Sequence, residues 1–120
     1  IDVGVDTGDV IDQLETPVAP NDTGETLYQK LERDSVSLFQ RAWPSLVDGT
    51  ARRRPQQGGG TSHRLRDLAR IDEIDPDAIF RAGELIDVLR ARTFPPYKGA
   101  YLKVGGRRVY LRLQLEVENE

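Results

Sequence analysis

Apolar and polar positions alternate at the start of the chain, with Ile1, Val3 and Val5 set against Asp2, Gly4 and Asp6. A period of two predicts a half-buried strand over residues 1–6. A second strand is predicted over residues 10–18, ended by Pro17 and Pro20, which cannot donate to a ladder. Two strands alone leave open edges and are marginal in water, so upstream sequence is expected to complete the sheet. Asp22 followed by Glu25 has capping-box spacing and predicts a helix from about Thr23. Leu27, Leu31, Leu38, Ala42 and Leu46 then recur at helical spacing, widened by Tyr28, Phe39 and Trp43 into one broad face expected to pack on a core. Pro44 predicts a kink or restart near Trp43, and Gly49 a stop.

Residues 50–62 show no period and read as a mobile loop. Asp75-Pro76 predicts the next helix start, with Ile79, Phe80, Ala82, Ile86 and Leu89 marking a buried face that runs to about Arg92. Gly83 inside it costs about 1 kcal/mol relative to alanine, which close packing on a neighbouring backbone would explain. Gly105-Gly106 between Tyr101–Val104 and a second segment, residues 107–117, predicts a hairpin, with Leu111, Leu113, Leu115 and Val117 on one face. These elements make the chain α/β.

The 120 residues carry a net charge of −3, which excludes a broad basic surface and argues against nucleic acid as a partner. The one basic cluster, Arg52-Arg53-Arg54, stands beside Pro55 and the run Gly58-Gly59-Gly60 and reads as a solvated connector. With no cysteine and one histidine, neither a disulfide framework nor a Cys- or His-based metal site is expected. No apolar run reaches the roughly 18–20 residues of a membrane span, and the start lacks a signal peptide's basic and apolar regions. A cytoplasmic location and no membrane partner are expected. The chain contains no methionine, and Ile1 reads as an internal strand residue, so the sequence is expected to begin inside a longer protein.

Three places could carry chemistry. Asp6-Thr7-Gly8 sets a carboxylate beside a glycine turn at a predicted strand end, where it is held by the scaffold yet can reach a ligand. Read by itself, the string is also ordinary turn composition. His63 has a side chain that titrates near neutrality, but no serine or cysteine nucleophile stands in a recognisable motif, so it reads as structural or substrate-side. Pro95-Pro96, flanked by Phe94 and Tyr97, is either a rigid ligand wall or a loop tucked onto the core.

The succession Asp6-Thr7-Gly8, Pro17 to Pro20, Asp22-Thr23, Thr26-Leu27, Leu46 and Gly49 resembles the N10-formyltetrahydrofolate-dependent formyltransferases over about the first 50 residues. That stretch is shared by enzymes acting on methionyl-tRNA, glycinamide ribonucleotide and nucleotide sugars. Two further strings are similar to the nucleotide-sugar N-formyltransferases, which act on dTDP-linked amino-dideoxy sugars. They are Arg92-Thr93-Phe94-Pro95-Pro96-Tyr97 with Gly99-Ala100-Tyr101, and Gly60-Thr61-Ser62-His63-Arg64 with Asp67-Leu68.

The resemblance implies the C-terminal portion of a Rossmann-like mixed sheet, a β-hairpin plus long helix, followed by a helix and a C-terminal β-hairpin. It implies formyl transfer from N10-formyltetrahydrofolate to the amino group of a nucleotide-linked sugar in glycan or O-antigen biosynthesis, without a metal and in a parent enzyme capable of forming a homodimer. The alternatives are a methionyl-tRNA or other formyltransferase, or a non-catalytic binding module derived from one. In the family an asparagine, a histidine and an aspartate form the catalytic constellation, and the aspartate corresponds to Asp6. The backbone of Val3, Gly4, Val5 and Asp6 corresponds to the pterin-binding edge, and Tyr97 to a wall near the nucleotide sugar. The implied organisation is residues 1–50 in the catalytic domain, 51–74 as linker, and 75–120 as a helix-plus-hairpin subdomain. The Asn and His of the constellation have no counterpart in these 120 residues, and the chain alone is expected to be inactive.

Overall fold

A computed structural model describes residues 3–119, and its elements follow in the order α1 (Gly24–Val47), a 3₁₀ turn (Leu65–Asp67), α2 (Leu68–Asp72), α3 (Ala82–Arg92), β1 (Tyr101–Val104) and β2 (Arg107–Tyr110). The fold is mixed α/β, with three α-helices and one two-stranded antiparallel sheet among the described residues. Two units are distinct: one holds residues up to Pro17 together with Lys30–Thr61, the other Val18–Gln29 together with the chain from Ser62 onward.

In the first unit the expected N-terminal hairpin does not form among the described residues. Ile1 and Asp2 of its first strand lie outside the described residues, while residues 3–6 turn and bend with Val3 and Val5 fully exposed. Asp6 adopts φ +54°, a left-handed conformation that a strand cannot contain. Of residues 10–18 only Val10 pairs, and its partner is Arg54, in the stretch expected to be an unanchored loop. The two backbones exchange Val10 N–H to Arg54 O at 2.8 Å and Arg54 N–H to Val10 O at 3.0 Å. Side chains hold the remainder. Arg41 donates to both oxygens of Asp12 and to Gln13 O, and Thr16 Oγ1 donates to Asp34 at 2.8 Å.

Helix α1 starts where the composition predicts, but with a different box. The Thr23 N–H donates to Thr26 Oγ1 at 2.9 Å and the Thr26 N–H to Thr23 Oγ1 at 3.5 Å, so the reciprocal pair sits one residue later than Asp22 and Glu25. Asp22, buried, instead accepts from Ala19 N–H and from Thr26 Oγ1, and the Glu25 N–H donates to Thr93 O at 3.2 Å. The helix runs through Pro44 without a restart, the proline forfeiting the one ladder bond that an N–H at this position would make to Gln40 O. Gly49, at φ +76°, ends it as expected. No residue of α1 is buried, and its aromatic stripe, expected to be core, is half-exposed, with Phe39 and Trp43 stacked 5.3 Å apart.

In the second unit the stretch expected as linker carries the 3₁₀ turn and α2. Asp75-Pro76 makes a turn and starts no helix: Asp75 Oδ1 accepts from Asp77 N–H at 2.9 Å and Asp75 O from Ala78 N–H at 3.1 Å. Helix α3 begins only at Ala82, leaving Ile79 exposed, and Gly83 meets no neighbour that would account for it. The hairpin forms as predicted, with Tyr101 opposite Tyr110 and Val104 opposite Arg107. Its loop takes φ +54° and +77° at Gly105 and Gly106, the positive values a two-residue turn of this hand requires. The second strand ends at Tyr110, well before Val117; beyond it the Leu111 N–H still reaches Ala100 O at 2.8 Å, while the Leu113 N–H goes to a side chain, Thr93 Oγ1, at 3.0 Å. On the other side of β1, Ile74 donates to Tyr101 O at 2.8 Å in a parallel bridge. Ile74, Thr93, Ala100 and Tyr101 form the small buried centre.

Candidate functional site

The Asp6-Thr7-Gly8 turn is exposed and is gripped from one side. Gln56 Nε2 donates to Asp6 O at 3.0 Å and to Gly8 O at 2.5 Å, so the turn's carbonyls are tied to the segment that also bridges Val10. The Asp6 carboxylate accepts no hydrogen bond and joins no ion pair among the described residues. The backbone from Gly4 to Asp6 enters no ladder there. A carboxylate on a left-handed residue, with its own carbonyl anchored and its side chain in solvent, is positioned yet available. Sequence reasoning missed Gln56: a glutamine in an aperiodic Arg-Gln-Gly stretch gives no local signal for a contact fifty residues away.

Beside the turn lies an open groove of about 890 Å³, lined by residues 10–15, Leu38 and Arg52–Arg54. Its carboxylate Asp12 is held by the Arg41 guanidinium, whose hydrogen bonds, with one from the Gln13 N–H, lower the Asp12 pKa below its ordinary 3.8. A depressed carboxylate contributes to stability above its unfolded pKa, and that contribution fades as pH falls through the lower folded value.

Tyr97, the other predicted site residue, belongs to the second unit and stands 68% exposed. Its ring meets Phe94 edge-on at 5.6 Å, and Phe94 in turn meets Tyr28 at 5.5 Å, so an aromatic series supports an exposed phenol. The segment on either side is fixed. Arg90 donates to the carbonyls of Asp22 and Ala19, and Gly99 takes φ +69° where any Cβ would collide with Arg92 O. Gly24 is pressed against Ala91 O in the same way, at 2.5 Å for a Cβ. Among the described residues no three His, Cys, Asp or Glu side chains gather to hold a metal, and no helix is long and apolar enough to cross a membrane.

Residues 67–117 match the model of the N-formyltransferase dimerization C-terminal domain. A 4-N formyltransferase structure from Francisella tularensis superposes with a TM-score of 0.91 and 32% identity, over 98% of this chain and 49% of that one. A sugar N-formyltransferase from a Shewanella species shares the fold, at TM-score 0.86 and 23% identity, over 99% of this chain and 49% of that one. Among curated sequences, methionyl-tRNA formyltransferase of Koribacter versatilis is 31% identical over 111 residues, 92% of this chain and 34% of that protein. The chain thus spans about half of the similar structures and a third of the curated relative. Over nearly its whole length the chain is similar to formyltransferases, and its residues 67–117 match the model of an N-formyltransferase dimerization C-terminal domain.

Proposed function

We propose that the chain serves in transfer of a formyl group from N10-formyltetrahydrofolate to the amino group of a nucleotide-linked amino-deoxy sugar, within a protein that also supplies an asparagine and a histidine. The observation that carries this reading is the agreement with the Francisella 4-N formyltransferase, 32% identical and superposing over 98% of the chain. The exposed, anchored Asp6 turn supports it. Asp6 has the role of orienting the histidine that takes the proton from the attacking amine. The asparagine steadies the oxyanion that develops on the formyl oxygen as the amine attacks the formyl carbon. The backbone of Val3, Gly4, Val5 and Asp6 is assigned to the pterin edge. Tyr97, exposed on a fixed segment, is assigned to the sugar side. Residues 1–50 are assigned to the catalytic domain, 51–74 to a linker and 75–120 to a C-terminal subdomain, and a homodimer through that subdomain agrees with the name of the matched model. The work is assigned to the cytoplasm.

A second reading has its own support: the curated relatives are methionyl-tRNA formyltransferases. The net charge of −3 and the Thr93–Tyr101 string favour the sugar.

The test is Asp6→Asn in the complete protein. Turnover is expected to fall roughly 10²- to 10⁴-fold with the fold retained, the range of a positioned acid–base system. Asp9→Asn, one residue beyond the glycine, should be mild. Unchanged turnover in Asp6→Asn would return the turn to a purely structural role.

A further inference from the structure

The arginine run, which the sequence offers only as a connector, lines a groove next to the Asp6 turn. Arg54 is fixed by its two backbone bonds to Val10, and its guanidinium is turned to Gln13 Oε1. Arg52 and Arg53 are exposed, line the same groove, and their guanidinium groups make no hydrogen bond or ion pair with a described residue. Of the groove's carboxylates, Asp12 is already engaged by the Arg41 fork, leaving Glu15 against three arginines. The groove is therefore net cationic, with two guanidinium forks available to oxyanions.

Its position sets which oxyanion. Val10 is four residues from Asp6, at most about 14 Å of extended chain, and Gln56 ties the turn directly to the arginine segment. A folate whose pterin lies along Val3–Asp6 carries its negative charge at the opposite end, on the carboxylates of its glutamate tail. We infer that Arg52 and Arg53 form a subsite for that tail, selecting glutamylated folates over the bare pteroate. The inference rests on the folate reading above. It adds a specificity element that Asp6 and the pterin edge do not provide, because those contacts are the same whatever the tail.

The experiment measures equilibrium binding to the complete protein at low and high salt, with tetrahydrofolate, polyglutamated tetrahydrofolate, tetrahydropteroate and dTDP as probes. The proteins are the unsubstituted form, Arg52→Ala/Arg53→Ala and Arg52→Lys/Arg53→Lys. The expected result is a preference for tetrahydrofolate over tetrahydropteroate of roughly tenfold, larger for the polyglutamate and reduced by salt, as for exposed charge pairs. It should vanish in the alanine variant, survive in large part in the lysine variant, and leave dTDP binding unaltered. A preference equal in the unsubstituted and alanine proteins overturns the subsite while leaving the folate reading intact. So does a loss confined to dTDP, which would make the arginines a diphosphate site. If no pteridine binds to the unsubstituted protein, the folate reading fails and the subsite falls with it.

Discussion

Thr93 is 6% exposed, and its hydroxyl is used twice, donating to Leu89 O at 2.7 Å and accepting from Leu113 N–H at 3.0 Å. Its carbonyl also accepts the Glu25 N–H at the start of α1. One buried side chain thus joins the end of α3 to the segment after β2, and its backbone joins both to α1. Thr93→Val keeps the shape and strands the part-buried Leu113 N–H, so it should lower unfolding free energy by about 1–3 kcal/mol, with Thr93→Ser recovering most of it. Tyr97, four residues on, is exposed and touches little beyond the edge of Phe94. Tyr97→Ala should leave the denaturation midpoint nearly unchanged while raising the sugar's KM and not the folate's. A lower midpoint with no selective effect on the sugar would make Tyr97 a packing residue.

Helix α1 shows how far a local pattern reaches. Its stripe has the spacing of a buried face, yet Trp43 is 52% exposed and stacks only on Phe39 among the rings described. Trp43→Ala in these 120 residues should cost within about 1 kcal/mol, against the roughly 3–5 typical of a buried aromatic. Denaturation of the two forms checks this, and a loss of several kcal/mol would show the face to be covered. Elements set by short-range chemistry were legible beforehand: the hairpin from Gly105-Gly106, the helix stop from Gly49, the helix start within a residue. Elements set by distant partners were not. Val10 pairs with Arg54 across more than forty positions, and no alternation in residues 10–18 can name that partner. Asp75-Pro76 suits a turn as well as a helix start, because the same carboxylate that caps N–H groups also closes an Asx turn. At the site, the Asp-Thr-Gly turn could be read from sequence, whereas its clamp by Gln56 and the groove beside it arise only when segments fifty residues apart meet.

At the scale of the whole molecule, the fold agrees closely with a structure of a 4-N formyltransferase, while the curated sequence relatives act on methionyl-tRNA. Similarity to formyltransferases leaves the acceptor to chemistry. The net charge of −3 on these 120 residues supports the proposed sugar acceptor over a tRNA backbone, whose phosphates dominate such binding. A rigid, aromatic-supported tyrosine suits a small polar acceptor better. The decisive measurement is formyl transfer by the complete protein from N10-formyltetrahydrofolate, with a dTDP-linked amino-dideoxyhexose and aminoacylated initiator tRNA compared as acceptors under the same conditions. Transfer to the sugar amine at enzymatic rates, with none to the tRNA beyond background, is the expected result. Efficient formylation of the methionyl-tRNA with the sugar left unmodified would contradict the proposed function.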